Sequence, residues 1–179
     1  MTQETKQKVA ASVADFRLPR YNEIPNVGLY LEQTAKYISE YLAPLGDYGL
    51  TNSMISNYVK KGLVANPVKK QYDREQIAYL FFIAVAKTVL SLDALTGFIA
   101  LQKRTYPLEI AYDFFCNQFE ELLKFTVELT DTMELAETEI TAETKNAGAK
   151  RLLYSCIVAV TQKIYLEKCL EAIASEEAE

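Results

Sequence analysis

Between positions 51 and 62 the apolar residues Met54, Ile55, Tyr58 and Val59 recur at three- and four-residue steps, which sets them on one helical face turned toward a core. The other face reads Asn52, Ser53, Ser56, Asn57 and Lys60, short polar or basic side chains with no acid among them. Thr51 stands where its hydroxyl can cap the first turn, and Gly62 suits the left-handed residue that closes the last. A lysine-flanked loop follows, Pro67-Val68-Lys69-Lys70-Gln71-Tyr72. Asp73 with Gln76 three residues later then has the spacing of a capping box. The helix it opens runs through Ile77, Leu80, Phe81, Ala84 and Thr88 to about residue 89. Its apolar positions lie nearly all round, which makes it the central buried helix. Ser91 caps the next helix, through Leu92, Leu95, Phe98 and Ile99, with its end near Gln102 before Thr105-Tyr106-Pro107.

The pattern on either side is simpler. Residues 1–15 form a polar N-terminal segment with room for a short helix. Pro19 and Pro25 keep residues 16–28 out of a helix, so this stretch runs extended across the domain. Its Arg17 and Arg20 suit either phosphate contact or an internal pairing. Residues 29–42 read as a helix with Leu31, Ala35, Ile38 and Leu42 in one stripe and Tyr30, Tyr37 and Tyr41 beside it. Pro44, Gly46 and Gly49 make 43–49 a turn, longer than in the tightest helix-turn-helix units. After Pro107, the residues Leu108, Ala111, Phe115, Phe119, Leu122, Leu129, Met133 and Ala136 predict a helix of about eight turns. A polar link over 138–148 leads to a second stripe, Leu153, Ile157, Val160 and Ile164, extended by Leu166, Leu170 and Ile173. Two long amphipathic helices with a short link predict a helical hairpin. The expected division is thus 1–15, 16–105 and 106–179.

One run carries a family resemblance. Asn57-Tyr58-Val59-Lys60-Lys61-Gly62-Leu63-Val64, followed by Pro67-Val68-Lys69-Lys70-Gln71-Tyr72, is similar to the MerR-type pattern of a tyrosine, a Gly-Leu pair, a proline and a basic wing. The similarity continues through Asp73, Ile77, Leu80 and Ile83 to Lys87, Ser91, Leu92 and Leu95, the pair of helices after the wing. More narrowly, LPRYNEIPNVGLYLEQ with LTNSMISNYVKKGLVANPVKKQYDREQIAYL resembles a bacterial family of domains of unknown function with a MerR-like fold, over residues 16–98. The resemblance implies an all-α protein with a small β-wing: a MerR-like winged helix-turn-helix domain and then the C-terminal helical hairpin. It implies sequence-specific binding of double-stranded DNA by a transcriptional regulator. Asn52, Ser53, Ser56 and Asn57 would read bases, while Thr51, Lys60, Lys61, Lys69 and Lys70 would hold phosphates. The wing is shorter than the family's, since Gln71-Tyr72 follows directly where a Gly-Tyr-Arg step is usual.

Charge sharpens this picture. The chain has 179 residues and a formal charge of −5. Residues 1–107 carry 13 Lys/Arg against 9 Asp/Glu, whereas 108–179 carry 6 against 15. Within 50–74 five basic residues (Lys60, Lys61, Lys69, Lys70, Arg74) meet Asp73 alone. Phosphate contact is short-ranged once salt screens the rest, so an acidic protein with a basic face can bind DNA, its acidic half turned away.

Catalytic chemistry is poorly supplied. There is no histidine, hence no side chain titrating near neutrality without a perturbed pKa, and the commonest metal ligand is missing. Neither a glycine-rich phosphate loop nor a nucleophile elbow is present. These features argue against an enzyme and against a cofactor. Cys116, Cys156 and Cys169 form no C-x-x-C pair, and Cys156 and Cys169 fall on roughly opposing faces of one helix, so they read as buried, reduced thiols and not as a metal site. The start MTQETKQKVAASVADF has no apolar run fit for a secretory signal, and the apolar run over 77–86 is too short for a bilayer, so a cytoplasmic protein without membrane contact is expected. Tyr106, Tyr112, Phe114, Phe115, Phe119 and Phe125 could line a pocket for an unidentified small-molecule effector, though such spacing more often builds a core. The expected assembly is a homodimer through the C-terminal helices. The rival to DNA binding is a protein-binding adaptor that uses the acidic hairpin.

Overall fold

A computed structural model describes residues 3–128 and 146–176. Leu129, Met133, Ala136 and most of the expected link lie outside them. The described chain is mostly helical: α1 (Gln3–Val13), β1 (Leu29–Tyr30), α2 (Leu31–Leu42), α3 (Asn52–Lys60), β2 (Gln71–Tyr72), α4 (Arg74–Ala86), α5 (Leu92–Thr105), α6 (Leu108–Glu128) and α7 (Ala147–Glu176). The two strands form one antiparallel sheet, with Leu29 opposite Tyr72 and Tyr30 opposite Gln71. The chain divides into two compact units. One is Arg17–Cys116; the other gathers the described parts of Met1–Phe16 and Asn117–Glu179.

In the Arg17–Cys116 unit, α4 is the centre. Ile77, Ala78, Leu80, Phe81, Ile83 and Ala84 are fully buried, as a helix apolar all round requires. Each large side chain among them contributes about 1.5–3 kcal/mol by leaving water. Tyr37 and Tyr41 of α2 set their rings edge-on to Phe81 at 5.8 and 5.9 Å. Phe82 packs against Phe98 of α5 at 5.3 Å and Phe115 of α6 at 5.4 Å. The proline-bearing arm runs extended apart from one 3-10 turn, Tyr21–Glu23, and buries Leu18 and Ile24 completely. Arg74 pins it: Nε donates to the Ile24 carbonyl at 2.9 Å, a terminal nitrogen reaches Asn22 Oδ1 at 3.1 Å, and the guanidinium lies 5.7 Å over the Tyr21 ring. On the other side the Tyr21 N–H donates to Asp113 at 2.7 Å and the Asn22 amide to Glu109 at 2.8 Å.

Four boundaries or faces differ from the sequence reading. The helix expected over 29–42 starts at Leu31, because Leu29 and Tyr30 pair as a strand with Gln71 and Tyr72. Tyr30 is consequently exposed and does not cover the core. Helix α4 stops at Ala86 instead of near 89; Thr88 and Val89 turn back tightly on Val85 and Ala86. Helix α5 passes Gln102 and runs to Thr105, since the real stop is Tyr106, held extended (φ −142°, ψ 149°) by the proline after it.

The second unit is built on helix faces. Segment 3–13, read as polar with room for a short helix, forms α1 with Thr5, Val9 and Val13 buried at four-residue steps. The ring of Phe16 meets Phe119 edge-on at 5.7 Å. Phe119, Leu122, Leu123 and Val127 of α6 and Ile157, Val160 and Ile164 of α7 are buried. The stripe expected to continue through Leu166 and Leu170 does not. At 100° per residue they lie about 180° and 220° round the helix from Ile157. Leu166 is 58 % and Leu170 57 % exposed.

Candidate nucleic-acid interface

Helix α3 begins as its sequence predicts. Thr51 Oγ1 accepts the Met54 N–H at 3.2 Å, satisfying one orphan donor of the first turn. The hydroxyl hydrogen of Thr51 remains available to donate outward. Ile55 and Tyr58 are buried and Val59 is half-buried. Met54, expected on the same face, is 39 % exposed. Asn52, Ser53, Ser56, Asn57 and Lys60 are all exposed and fall within an arc of about 140°, opposite Ile55 and Tyr58. Ser56 is partly committed: its hydroxyl donates to the Asn52 carbonyl at 2.9 Å and so offers a partner only its lone pairs.

The helix closes with a Schellman motif. Gly62, at φ 76°, lets its N–H reach the Val59 carbonyl at 2.9 Å and the Leu63 N–H reach that of Tyr58 at 3.0 Å. Leu63 and Val64 then plug into the core. Lys60 and Lys61 stay outside at the carbonyl end of the helix, where the helix dipole favours cations.

The lysine loop is a tight hairpin. Val68 and Gln71 exchange both backbone hydrogen bonds, 3.1 and 2.9 Å, leaving Lys69 and Lys70 as the two turn residues. Both have positive φ, 51° and 66°. That is the pattern of a type I′ turn, whose ordinary occupants are Asn and Gly. Lysine in this conformation costs roughly 1 kcal/mol per residue or more. Val68 beside them is 71 % exposed. The outgoing limb is seated by β1 and by Gly28, where a Cβ would come within 2.7 Å of Gln71 Cβ. The base is closed by Gln76, which accepts the Asp73 N–H at 2.8 Å and donates to the Ala65 carbonyl at 2.8 Å. The capping box was visible in the sequence; the bond to Ala65 was not, because nothing in spacing announces it.

Several of the basic residues around this site are engaged within the fold. Arg74 is engaged by the arm, and Arg17 pairs with Glu23 at 2.7 Å, a hydrogen bond that holds the Glu23 carboxyl below its usual range. Arg20 donates to the Leu18 carbonyl at 3.0 Å. Four exposed lysines remain: Lys60, Lys61, Lys69 and Lys70. Among the described residues none of the four forms an ion pair.

The other chemical options have less behind them. Cys116, Cys156 and Cys169 are separately buried, and burial pushes the Cys156 thiol up to about 11. Among the described residues no group of three or more His, Cys, Asp or Glu could hold a metal ion. Of the aromatics considered for an effector, Tyr112 and Phe115 pack with Phe81 and Phe82 inside the Arg17–Cys116 unit, and Phe119 is core in the other. No helix among the described residues is long and apolar enough to cross a membrane.

The family model for a domain of unknown function, DUF1836, matches residues 19–115. The chain belongs to the DUF1836 family. Its DUF1836 domain coincides almost residue for residue with the Arg17–Cys116 unit, and it contains α3, the lysine hairpin and the Gln76 and Arg74 contacts that position them. No curated protein matches the chain, and no solved structure does.

Proposed function

We propose that the DUF1836 domain is a MerR-like winged helix-turn-helix that binds double-stranded DNA in a sequence-specific way, as a non-catalytic transcriptional regulator. The reading rests on one observation above all. Two exposed lysine pairs, without ion-pair partners among the described residues, accompany an exposed, uncharged polar helix face, and one pair is kept at an energetically poor turn position. In this reading α3 enters the major groove. Asn52, Ser53 and Asn57 offer donors and acceptors to base edges, and Ser56 an acceptor. Thr51, Lys60 and Lys61 hold phosphates at the two ends of the helix, and Lys69 and Lys70 do so from the hairpin, acting as the wing.

A second element is proposed with it. The outward Leu166 and Leu170 of α7, with the exposed Leu152 about four turns before Leu166, supply an apolar row that a second copy of the chain would cover. Pairing would give two α3 helices for two half-sites. The same row also favours the adaptor reading, with a different protein in place of the second copy.

The test is capture of fragmented genomic DNA by the purified protein at two salt concentrations. Fragment-selective binding that weakens steeply with salt supports the regulator. Absence of binding even at low salt refutes it and leaves the adaptor.

A further inference from the structure

The incoming limb of the lysine hairpin is held by little. Among the described residues, 65–68 is tied to the rest of the fold by three hydrogen bonds: the two between Val68 and Gln71 near the tip, and the one from Gln76 Nε2 to the Ala65 carbonyl. Ala65 and Asp73 are the two ends of the loop, and Gln76 grips both with one carboxamide, Oε1 on the Asp73 N–H and Nε2 on the Ala65 oxygen. Its own N–H meanwhile donates to Asp73 Oδ1 at 2.9 Å. The side chain is only 5 % exposed, so water does not compete for these bonds.

We propose that Gln76 is a positioning residue for the lysine hairpin: it locks the base of the loop so that Lys69 and Lys70 are presented in one fixed place. The proposal rests on the reading of the hairpin as a DNA-binding wing. A capping box alone does not need glutamine, since glutamate at this position supplies the same acceptor to the cap. The neutral amide accepts from Asp73 and donates to Ala65 together, whereas an ionised carboxylate can only accept. Pre-ordering the hairpin matters because a clamp that must be ordered on binding loses affinity to that ordering.

Gln76→Glu separates the two roles. The carboxylate keeps the capping bond and loses the donor to Ala65. Affinity for sheared genomic duplex DNA is measured for the unmutated protein, Q76E, K69Q/K70Q and the combined variant, across a salt series, with helix content followed by circular dichroism. Q76E is expected to bind about tenfold more weakly, the equivalent of one hydrogen bond to a buried group, with a flatter salt slope. Added to K69Q/K70Q it should change nothing further. A folded Q76E with unaltered affinity, or an equal loss in both backgrounds, overturns the proposal while leaving DNA binding intact. If the unmutated protein binds no duplex, the DNA reading has failed, and amide exchange decides the clamp: the Val68 and Gln71 amides must exchange faster in Q76E, and unchanged rates overturn it. Should Q76E not fold, the unmutated protein suffices, because the Gln76 carboxamide protons must then show slow exchange and nuclear Overhauser contacts to Ala65, and their absence refutes the clamp.

Discussion

Replacing Lys69-Lys70 by Asn-Gly should make the protein more stable and a poorer DNA binder. The two turn residues sit at φ 51° and 66°, between Val68 and Gln71, which exchange both backbone bonds. A lysine at such φ is disfavoured by roughly 1 kcal/mol or more because its Cβ crowds the backbone. Asn tolerates this region better, and Gly has no Cβ at all. Against the gain stands the extra freedom Gly brings to the unfolded chain, about 0.5–1 kcal/mol. The net expectation for K69N/K70G is a stabilisation of about 1 kcal/mol, or roughly 5 °C in Tm for a domain near a hundred residues. Thermal and urea unfolding read this directly, with K69Q/K70Q as control, since that pair removes both charges and keeps the backbone penalty. The same control measures the second half: both variants should lose affinity for every duplex alike and flatten the salt slope by about two units. K69N/K70G no more stable than K69Q/K70Q would mean the turn is not the left-handed one. A stabilised variant with the original salt slope would take the lysines off the DNA.

Three further outcomes are expected. Asn57→Ala should weaken binding to a selected fragment by roughly 1–3 kcal/mol and to unrelated duplex hardly at all, in a competition titration; equal losses would remove Asn57 from base reading. Tyr112→Phe should stabilise the fold by up to about 1 kcal/mol, because the buried hydroxyl has only the weak Cys116 thiol beside it as a partner and burial drives its pKa far upward; a less stable variant by urea titration would contradict this. Leu166→Glu with Leu170→Glu should turn a dimer into a folded monomer by light scattering, whereas Ile157→Glu, at a fully interior position, should unfold the helices; a protein monomeric before any substitution refutes the pairing.

Much of the architecture could be read from spacing because it is written locally. Caps at Thr51, Asp73 and Ser91 all form the predicted side-chain bonds, and Gly62 ends α3 as expected. The all-round apolar pattern of 77–86 correctly marked the buried centre. What failed needed distant partners. Nothing near Leu29 and Tyr30 says strand; Gln71 and Tyr72, some forty residues on, make them one. The polar composition of 3–13 allows a short helix but hides its docking, because a face of only Thr5, Val9 and Val13 is enough to bury it. Leu170 was misassigned for a different reason: a four-residue step from Leu166 looks continuous with the stripe, although both sit across the helix from Ile157.

The candidate site divides along the same line. Exposure of Asn52, Ser53, Ser56, Asn57 and the four lysines follows from helical period and from the hydrophilicity of turns. Which cations face outward does not. Arg74 belongs to the same basic cluster in sequence, yet the carbonyl of Ile24 and the side chain of Asn22, fifty residues earlier, draw it inward to hold the arm. Gln76 likewise looks like a helix cap and also ties a loop eleven residues upstream. Both side chains join segments remote in sequence through directional bonds, and a directional bond leaves no periodic trace. The residues proposed to face DNA are therefore the ones that composition and period reveal, while the residues that hold them in place emerge only from the folded chain. Losing a presenting lysine should alter charge and salt slope, but losing a holding residue should alter the order of the hairpin first and its affinity in consequence.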